Sequence, residues 1–208
     1  MSSLLHEIAA GVAPPPPSLT TAEFERQCVT GAFPPDWNVE LLDGMLILCD
    51  RRDEAGEINT VGPQHSYFTR RLDELLSPLA AATGCCYRAQ MGTSLPPDDA
   101  PQPDGLIAKG ATADYRDRNP AAADVLLTIE VAQSSLEHDR TTKLQTYAQA
   151  GLSPYWILNV AARTLEVRTD PDPAAGSYRT LVTLTAADTA TLPLPGGDVS
   201  LPLADLLG

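Results

Sequence analysis

The feature of this sequence that most constrains its fold is an apolar run that ends in a carboxylate. Residues 125–129 read VLLTI, and Glu130 follows them directly. A short apolar run of this kind is typical of a buried strand, and it predicts a strand over residues 125–131. An ionised carboxylate costs free energy when it is buried, unless it is paired or binds a cation. We therefore expect Glu130 to be paired or to serve a site.

Signals upstream of this strand predict a helix, a hairpin and a second helix. Thr20 stands three residues before Glu23, which is the pattern of a capping box at a helix start. Asp43 and Gly44 separate two apolar runs, and this dipeptide favours a type I′ turn in a β-hairpin. One apolar stripe at helical spacing predicts the second helix, and it comprises Phe68, Leu72, Leu75, Leu76 and Leu79.

Strands and one more helix are predicted along the rest of the chain. The segments CCYRAQMGTSL, PDGLIAK, PYWILNV and TLEVRT indicate strands, and YRTLVTLT and DVSLPLADLLG indicate peripheral strands with a final turn. A helix is expected from about residue 136 to residue 150, because Gly151 suits the position after a helix end. This order predicts an α/β (α+β) fold in which helices flank one central sheet. An N-terminal hairpin and a C-terminal β extension complete the prediction.

Length and composition favour one domain. The chain has 208 residues, of which 43% are hydrophobic, and this is enough for one core. We expect residues 1–17 to form an N-terminal arm whose end, APPPP, is a stiff spacer. Residues 18–208 are expected to form a single domain, with residues 170–208 as a peripheral extension.

The sequence predicts a cytoplasmic protein with reduced thiols. No stretch approaches the roughly 20 apolar residues of a membrane span, and the segment MSSLLHEIAA lacks the basic start of a signal peptide. The four cysteines, Cys28, Cys49, Cys85 and Cys86, form neither a CxxC motif nor a ligand pattern with histidine. We expect buried free thiols, with Cys85 and Cys86 on opposite faces of a strand.

The net charge restricts the partners. The formal net charge is −13, whereas a protein whose affinity comes from phosphate contacts is usually basic. This charge disfavours nucleic acid as a partner unless metal ions or local Arg and Lys clusters compensate.

Three residues are candidates for a site. Asp104 and Glu130 each lie at or near an apolar strand, and neighbouring strands would bring both acids to one point. Two carboxylates beside solvent suit Mg²⁺ or Mn²⁺, because Mg²⁺ keeps several waters and needs few protein ligands. Lys143 would offer a positive charge to the attacking water or the transition state.

Simpler interpretations of these residues stay open. Asp104 is followed by Gly105, which suits a turn. Glu130 can end its strand and pair with an arginine. Lys143 stands four residues after Asp139 and can form an ordinary ion pair on a helix surface.

Seven segments, taken in order, carry a resemblance to a known family. They are LTTAEFERQ, VELLDGMLI, GPQHSYFTRRL, QPDGLIA, LLTIEVAQSSLEHDRTTKLQTYAQAGLSPYWILN, TLEVRT and LPGGDVSLPLADLL. With these segments the chain resembles the Uma2 family of restriction-endonuclease-like proteins, in the PD-(D/E)xK nuclease superfamily. The resemblance implies a restriction-endonuclease-like core with a central mixed sheet, and a metal-dependent endonuclease that acts on DNA.

The resemblance also implies roles for individual residues. It gives the two metal-binding acids as Asp104 and Glu130. The superfamily pattern has its lysine two residues after the second acid, where this chain has Ala132. The family resembles a variant with the lysine on the following helix, where Lys143 stands. Glu40 matches an acid of the hairpin segment and would add a third carboxylate, although a cross-strand ion pair explains it equally well.

Two further residues have weaker matches. His65 corresponds to the histidine of the family's long helix, but a place in the first turn of a helix without catalytic duty explains it as well. Gln133 occupies a position where related sequences often carry Asp or Ser, so the chain departs from the family at this position.

Two classes of function remain. The first is a Mg²⁺-dependent endonuclease, expected to be a homodimer because two sites cut two strands most easily. The second is a non-catalytic binding or assembly module in which the acids and the lysine form a closed ion network, favoured by the acidic charge and by Ala132. A glycosidase with paired carboxylates gains no support from the lysine or from the 5% aromatic content.

Overall fold

The structure, a computed structural model, describes residues 18–34, 37–50 and 62–208, without the side chains of residues 49 and 50. The chain divides into two compact units. The first consists of Met1–Thr60 and Ser94–Pro101, and the second of Val61–Thr93 and Gln102–Gly208. The expected N-terminal arm lies outside the described residues, and the expected single domain stays a prediction.

The first unit contains the predicted short helix. Helix α1 spans Thr21–Val29 and begins with the expected capping box. The Thr20 hydroxyl accepts a hydrogen bond from the Glu23 amide, and the Glu23 carboxylate accepts one from the Thr20 amide. The two bonds satisfy amide groups that a helix start otherwise leaves without partners.

The first unit also contains the predicted hairpin. Strands β1 (Trp37–Leu42) and β2 (Met45–Asp50) pair antiparallel. Asp43 and Gly44 have φ values of 51° and 70°, and a type I′ turn needs positive φ at both positions. The core of this unit joins Phe24 and Leu41 to Ala100, whose backbone bridges to Leu41.

The second unit contains the long helix, the central sheet and the C-terminal elements. Its helices are α2 (Pro63–Ala82), α3 (Leu136–Arg140), α4 (Thr142–Gln149) and α5 (Leu203–Leu207). Its strands are β3 (Cys85–Ala89), β4 (Gly105–Lys109), β5 (Val125–Ala132), β6 (Tyr155–Asn159), β7 (Thr164–Asp172), β8 (Ser177–Leu184), β9 (Thr189–Leu194) and β10 (Gly197–Pro202).

Six strands of the described residues form one mixed sheet in the order β3-β4-β5-β6-β7-β8. β5 and β6 run parallel, and α3 and α4 lie in the crossover that a parallel pair requires. The other neighbouring strands pair antiparallel, and β9 and β10 form a separate pair. The predicted fold class, a central mixed sheet flanked by helices, is confirmed.

The two faces of this sheet bury different side chains, because successive residues of a strand point to opposite faces. We call one of them the apolar face; its buried strand residues are Ile107, Leu127, Ile129, Val131, Trp156, Leu158 and Leu165, and α2 packs on it with Phe68, Leu72 and Leu76. We call the other the polar face; strand pairing aligns Thr128 with Tyr155 and Arg168, and Glu130 with Ile157 and Glu166.

The helix predicted from residue 136 to residue 150 is wrong in one respect, since the chain forms two helices. α3 ends at Arg140, and Thr141 has φ −119° and ψ −85° before α4 begins. The Thr141 hydroxyl donates to the Glu137 carbonyl at 2.7 Å, and such bonding from Thr to the preceding turn bends helices. Gly151, at φ 70°, follows the end of α4 as predicted.

Other details refine the predicted elements. The strand predicted from CCYRAQMGTSL is shorter and ends at Ala89. Cys85 and Cys86 are free, buried and packed in different clusters, as alternation predicts, whereas Cys28 is exposed, so the expectation of buried thiols is wrong for that residue. The Cys49 side chain lies outside the described residues. The C-terminal segment, expected at the periphery, contributes leucines to the main core: Leu192, Leu194, Leu201, Leu203, Leu206 and Leu207. Among the described residues, no helix is long and apolar enough to cross a membrane.

Candidate active site

β4 and β5 bring the two candidate acids together. Gly105 pairs with Ile129 across these antiparallel strands. Asp104 precedes Gly105 and Glu130 follows Ile129, so the two acids lie side by side. The Asp104 amide is 3.4 Å from Glu130 Oε2. The Val131 amide donates to Asp104 Oδ2 at 2.8 Å. Asp104 is therefore more than a turn residue, because its carboxylate is bound to the neighbouring strand.

Asp104 is mostly buried and accepts hydrogen bonds at both carboxylate oxygens. Its side chain is 18% exposed, with Oδ2 3.1 Å from His65 Nε2 and Oδ1 3.4 Å from Gln90 Nε2. Burial by itself raises the pKa of this carboxyl, but the hydrogen bond and charge of His65, the Val131 amide and Gln90 outweigh burial and lower the pKa. The same hydrogen bond raises the pKa of His65. Each partner thus favours the charged form of the other.

Glu130 lies between a lysine and a tyrosine. The side chains of Lys143 and Glu130 are 5% and 6% exposed, and Lys143 Nζ is 3.3 Å from Glu130 Oε1. The Tyr147 hydroxyl donates to the same oxygen at 2.7 Å. The acid that the sequence predicted to need a partner is paired with a lysine, and the pair is buried on the polar face of the sheet.

Helix α4 supplies both donors to Glu130. Lys143 and Tyr147 are four residues apart, so they lie one above the other on the same side of the helix. Asp139, the alternative partner for Lys143, accepts a hydrogen bond from the Ser135 hydroxyl at 2.6 Å. Because the Lys143 side chain is 5% exposed, it is a buried partner of Glu130 and not a solvated residue of a helix surface.

Gln133 anchors the helix start that presents His65 to Asp104. Gln133 follows β5 directly, and its side-chain oxygen accepts a hydrogen bond from the His65 amide at 3.0 Å. Gly62 precedes α2 and offers no side-chain cap of its own. A Cβ at Gly62 would lie 2.8 Å from the Gln133 side-chain amide, so a larger residue there would push the end of the Gln133 side chain away from its present position. Gln133 takes the place of a capping residue for α2.

Glu40 lies in the first unit. It is buried on β1, opposite Ile47 of β2, so its direct cross-strand partner is apolar. Its assisting role in the site stays a prediction. Ala132, where the superfamily pattern has its lysine, is the buried last residue of β5.

Sequence reasoning missed two residues of the cluster. Tyr147 had a usable signal, since it stands one helical turn after Lys143 on the same predicted helix. Gln90 had none, because it contacts Asp104 only through the pairing of β3 with β4 and through its own positive φ of 51°.

A groove of about 240 Å³ lies beside two residues that contact Asp104, although Asp104 itself is not part of the lining. Its lining includes His65 and Gln90, which contact Asp104, together with Thr69 and Arg70 of α2. Arg70 is 69% exposed and pairs with Asp73 and Glu74 on its own helix. Exposed pairs of this kind hold their partners weakly, so Arg70 is available to an anion in the groove.

The donor chemistry of the cluster fits a hard divalent cation. Within residues 18–34, 37–50 and 62–208, no group of three or more His, Cys, Asp or Glu side chains is arranged to hold a metal ion. Asp104 and Glu130 nevertheless occupy neighbouring strand positions, and Mg²⁺ needs only one or two carboxylates because it keeps several waters. Two protein acids with water thus suit Mg²⁺ or Mn²⁺, in competition with His65 and Lys143 for the same carboxylates.

Comparisons with known proteins agree with this fold. The chain resembles the crystal structure of "a putative nuclease belonging to DUF820" from Anabaena variabilis ATCC 29413, with a TM-score of 0.56 and 15% sequence identity, over 91% of this chain and 97% of that chain. At this identity the likeness shows the fold alone. No curated protein matches the chain. A family model, Uma2, described as "Putative restriction endonuclease", matches residues 21–204. Because this match covers most of the sequence, the chain belongs to the Uma2 family.

Proposed function

We propose that this chain is a metal-dependent endonuclease that hydrolyses DNA phosphodiester bonds. One observation carries the proposal: Asp104 and Glu130 occupy neighbouring strand positions, with the Asp104 amide 3.4 Å from Glu130 Oε2, and Lys143 of a helix pairs with Glu130 in the buried interior. Membership of a nuclease-like family supports the general class of reaction. The choice of Mg²⁺ or Mn²⁺ rests on the two adjacent acids.

Each residue of the cluster has a proposed task. Asp104 and Glu130 would hold the ion, while the assisting role expected for Glu40, a residue of the first unit, stays a prediction. When bound, the ion lowers the pKa of a water and stabilises charge on a phosphoryl oxygen. His65 and the Val131 amide keep Asp104 ionised and oriented. Lys143 offers its positive charge to the attacking water or to the transition state.

DNA as the substrate and a homodimer as the active form are parts of the same proposal. A net charge of −13 repels DNA at long range, so binding must depend on local cations such as Arg70 beside the groove and on the metal ion. We therefore expect DNA affinity that requires the divalent ion and falls as monovalent salt increases. A homodimer would bring two sites to two strands.

A second candidate is a non-catalytic binding or assembly module. The observation in its favour is the direct pairing of Lys143 with Glu130, which closes the buried cluster without an ion. In such a protein the acids form ion pairs that are part of the folded structure, and the cluster binds no metal ion. Calorimetric titration with Mn²⁺ separates the candidates: an endonuclease binds the ion through Asp104 and Glu130, whereas a closed network gives no binding heat.

The test of the endonuclease proposal is cleavage of supercoiled plasmid with Mg²⁺ or Mn²⁺. The wild-type protein should nick the plasmid, EDTA should stop the reaction, and Asp104→Ala should abolish it. Asp117→Ala is the matched control, because Asp117 is an exposed aspartate of the same unit and its loss should leave cleavage unchanged. Equal cleavage by wild type and Asp104→Ala would contradict the assignment.

Two further arms refine the substrate and the assembly. A single-stranded RNA of matched length, incubated under the same conditions, should survive if DNA is the substrate. Light scattering of the purified protein should give the mass of two chains if the homodimer forms. Cleavage of RNA alone, or a monomer that cuts both strands, would correct that part of the proposal.

A further inference from the structure

We propose that Tyr147 is a positioning residue, which holds Glu130 in place when Lys143 leaves it. The inference rests on the proposed function and extends it to a residue that neither the sequence pattern nor the family description singles out. It concerns how the site keeps a buried acid in place while its lysine serves the reaction.

The geometry of Tyr147 fixes its hydroxyl on Glu130. Tyr147 has no exposed surface, and its hydroxyl donates to Glu130 Oε1 at 2.7 Å. The Tyr147 ring packs against the Tyr155 ring, with centroids 5.0 Å apart and planes at 58°. A ring held in this way cannot turn without opening the core, so the hydroxyl stays on the carboxylate.

Lys143 and Tyr147 share one acceptor, Glu130 Oε1. The tyrosine can therefore hold this oxygen when the lysine moves away. In the structure, Lys143 Nζ is engaged with Glu130 Oε1 at 3.3 Å. The proposed reaction requires the same ammonium group to interact with the attacking water or with the phosphate. A buried carboxylate that loses its cation is strongly destabilised. The Tyr147 hydroxyl remains as a donor, and because it is uncharged it does not repel an arriving cation.

The test compares Tyr147→Phe with Tyr178→Phe. Tyr178 is the matched control, because its hydroxyl also donates over 2.7 Å, but to the Leu152 carbonyl. Tyr147→Phe should weaken Mn²⁺ binding about tenfold by calorimetry and lower kcat by about 10- to 100-fold, as is typical when a partner of a metal ligand is removed. The KM for DNA should not change. Tyr178→Phe should bind Mn²⁺ and cleave as the wild type does. Wild-type Mn²⁺ affinity in Tyr147→Phe would overturn the inference.

A second measurement needs no metal and no cleavage. Thermal unfolding of Tyr147→Phe, Lys143→Met and the double variant tests whether the two donors substitute for each other. The double variant should lose more in Tm than the sum of the two single losses, because Glu130 then has neither donor. Additive losses would overturn the inference. If the double variant does not fold, Tyr147→Phe is compared in the Glu130→Gln background instead. There, Tyr147→Phe should lower Tm clearly less than it does in the wild type. An equal loss of Tm in both backgrounds would overturn the inference.

The two ideas fail in different ways. If Asp104→Ala cleaves and binds Mn²⁺ as the wild type does, the proposed function fails, while the Tm comparison still decides the role of Tyr147. If Asp104→Ala is inactive and Tyr147→Phe is unchanged in Mn²⁺ affinity, kcat and Tm coupling, only the inference about Tyr147 fails.

Discussion

The two faces of the central sheet both bury side chains, but the side chains differ in chemistry. On the apolar face, residues such as Trp156 and Leu158 have no exposed surface and belong to the same hydrophobic core as the buried residues of α2. On the polar face, the same strands bury Glu130 and Glu166, which are satisfied by Lys143 and by Arg168. One set of strands thus separates a hydrophobic core from a layer of paired charges.

The difference leads to a testable division, in which the apolar face stabilises the fold and the polar face carries the proposed site. Burial of apolar surface stabilises a fold by roughly 25 cal/mol per Å², whereas a buried ion pair is weak support for stability because desolvation opposes it. A chain selected for stability alone gains little from acids on one face of its main sheet. We infer that the polar face is retained for the site, and the following predictions test this division.

The largest effect is expected from breaking the buried pair on the polar face from one side. Lys143→Met leaves Glu130 buried without its cation, which should lower the free energy of unfolding by about 3–5 kcal/mol. Guanidinium denaturation at pH 7 measures it. Lys143→Met combined with Glu130→Gln should recover much of the loss, because no charge is then left unpaired. A loss below about 1 kcal/mol for the single variant would mean that this face behaves as solvated surface.

A comparable loss of stability, but none of metal binding, is expected on the apolar face. Leu158→Ala removes a fully buried side chain and should cost about 2–5 kcal/mol, since the cavity cannot fully collapse. Leu158→Met should cost less than about 1.5 kcal/mol, because it keeps the volume. Both variants, studied at a temperature where they are folded, should bind Mn²⁺ as the wild type does. A changed Mn²⁺ affinity would break the proposed division between the faces.

A smaller effect, of opposite sign, is expected at a polar residue that lies outside the acid cluster. Thr128 is fully buried on the polar face, and its hydroxyl has no hydrogen-bond partner in the part of the chain that the structure describes. Thr128→Val keeps the shape and removes this group, so it should stabilise the protein by about 1 kcal/mol. Denaturation measures the change, with Thr128→Ser as the control that keeps the hydroxyl. Destabilisation by valine would mean that the hydroxyl has a partner, such as water.

The smallest effect is expected for an ion pair outside both faces. The hydrogen bond from Arg118 lowers the pKa of Asp124 below 3.8, despite the opposing effect of burial. The stability from this pair is present above the unfolded pKa and is lost as pH falls through the lower, folded pKa. Because Arg118 is 51% exposed, the pair should contribute only a few tenths of a kcal/mol.

The measurement for this pair is the free energy of unfolding at pH 7 and at about pH 2.5. Asp124→Asn should lose slightly less stability between the two than the wild type does. A difference as large as that for Lys143→Met would contradict the distinction between exposed and buried pairs.

Local signals predicted many of the elements of this protein. The capping box of Thr20 and Glu23, the turn at Asp43 and Gly44, and the apolar stripe of α2 depend on residues close in sequence, and all were confirmed. The break at Thr141 was not predicted, because the bond of its hydroxyl to the preceding turn competes with a helical pattern that otherwise continues.

The candidate site was only partly open to sequence reasoning. Their positions at or near apolar strands drew attention to Asp104 and Glu130, with Lys143 on the following helix, and the family resemblance implied the same three residues. Their roles stay predictions. Gln133 illustrates the limit, because its bond to the His65 amide joins residues that only the folded chain brings together.

The sequence by itself determined the types of most elements and the buried residues of their apolar stripes, because hydrophobic periodicity and caps act over a few residues. Only the tertiary structure decided that Glu130 pairs with Lys143 and Tyr147 and that His65 reaches Asp104. These contacts depend on strand register and on how helices pack across the sheet. Both are set by the burial of the whole core, and no local pattern encodes them.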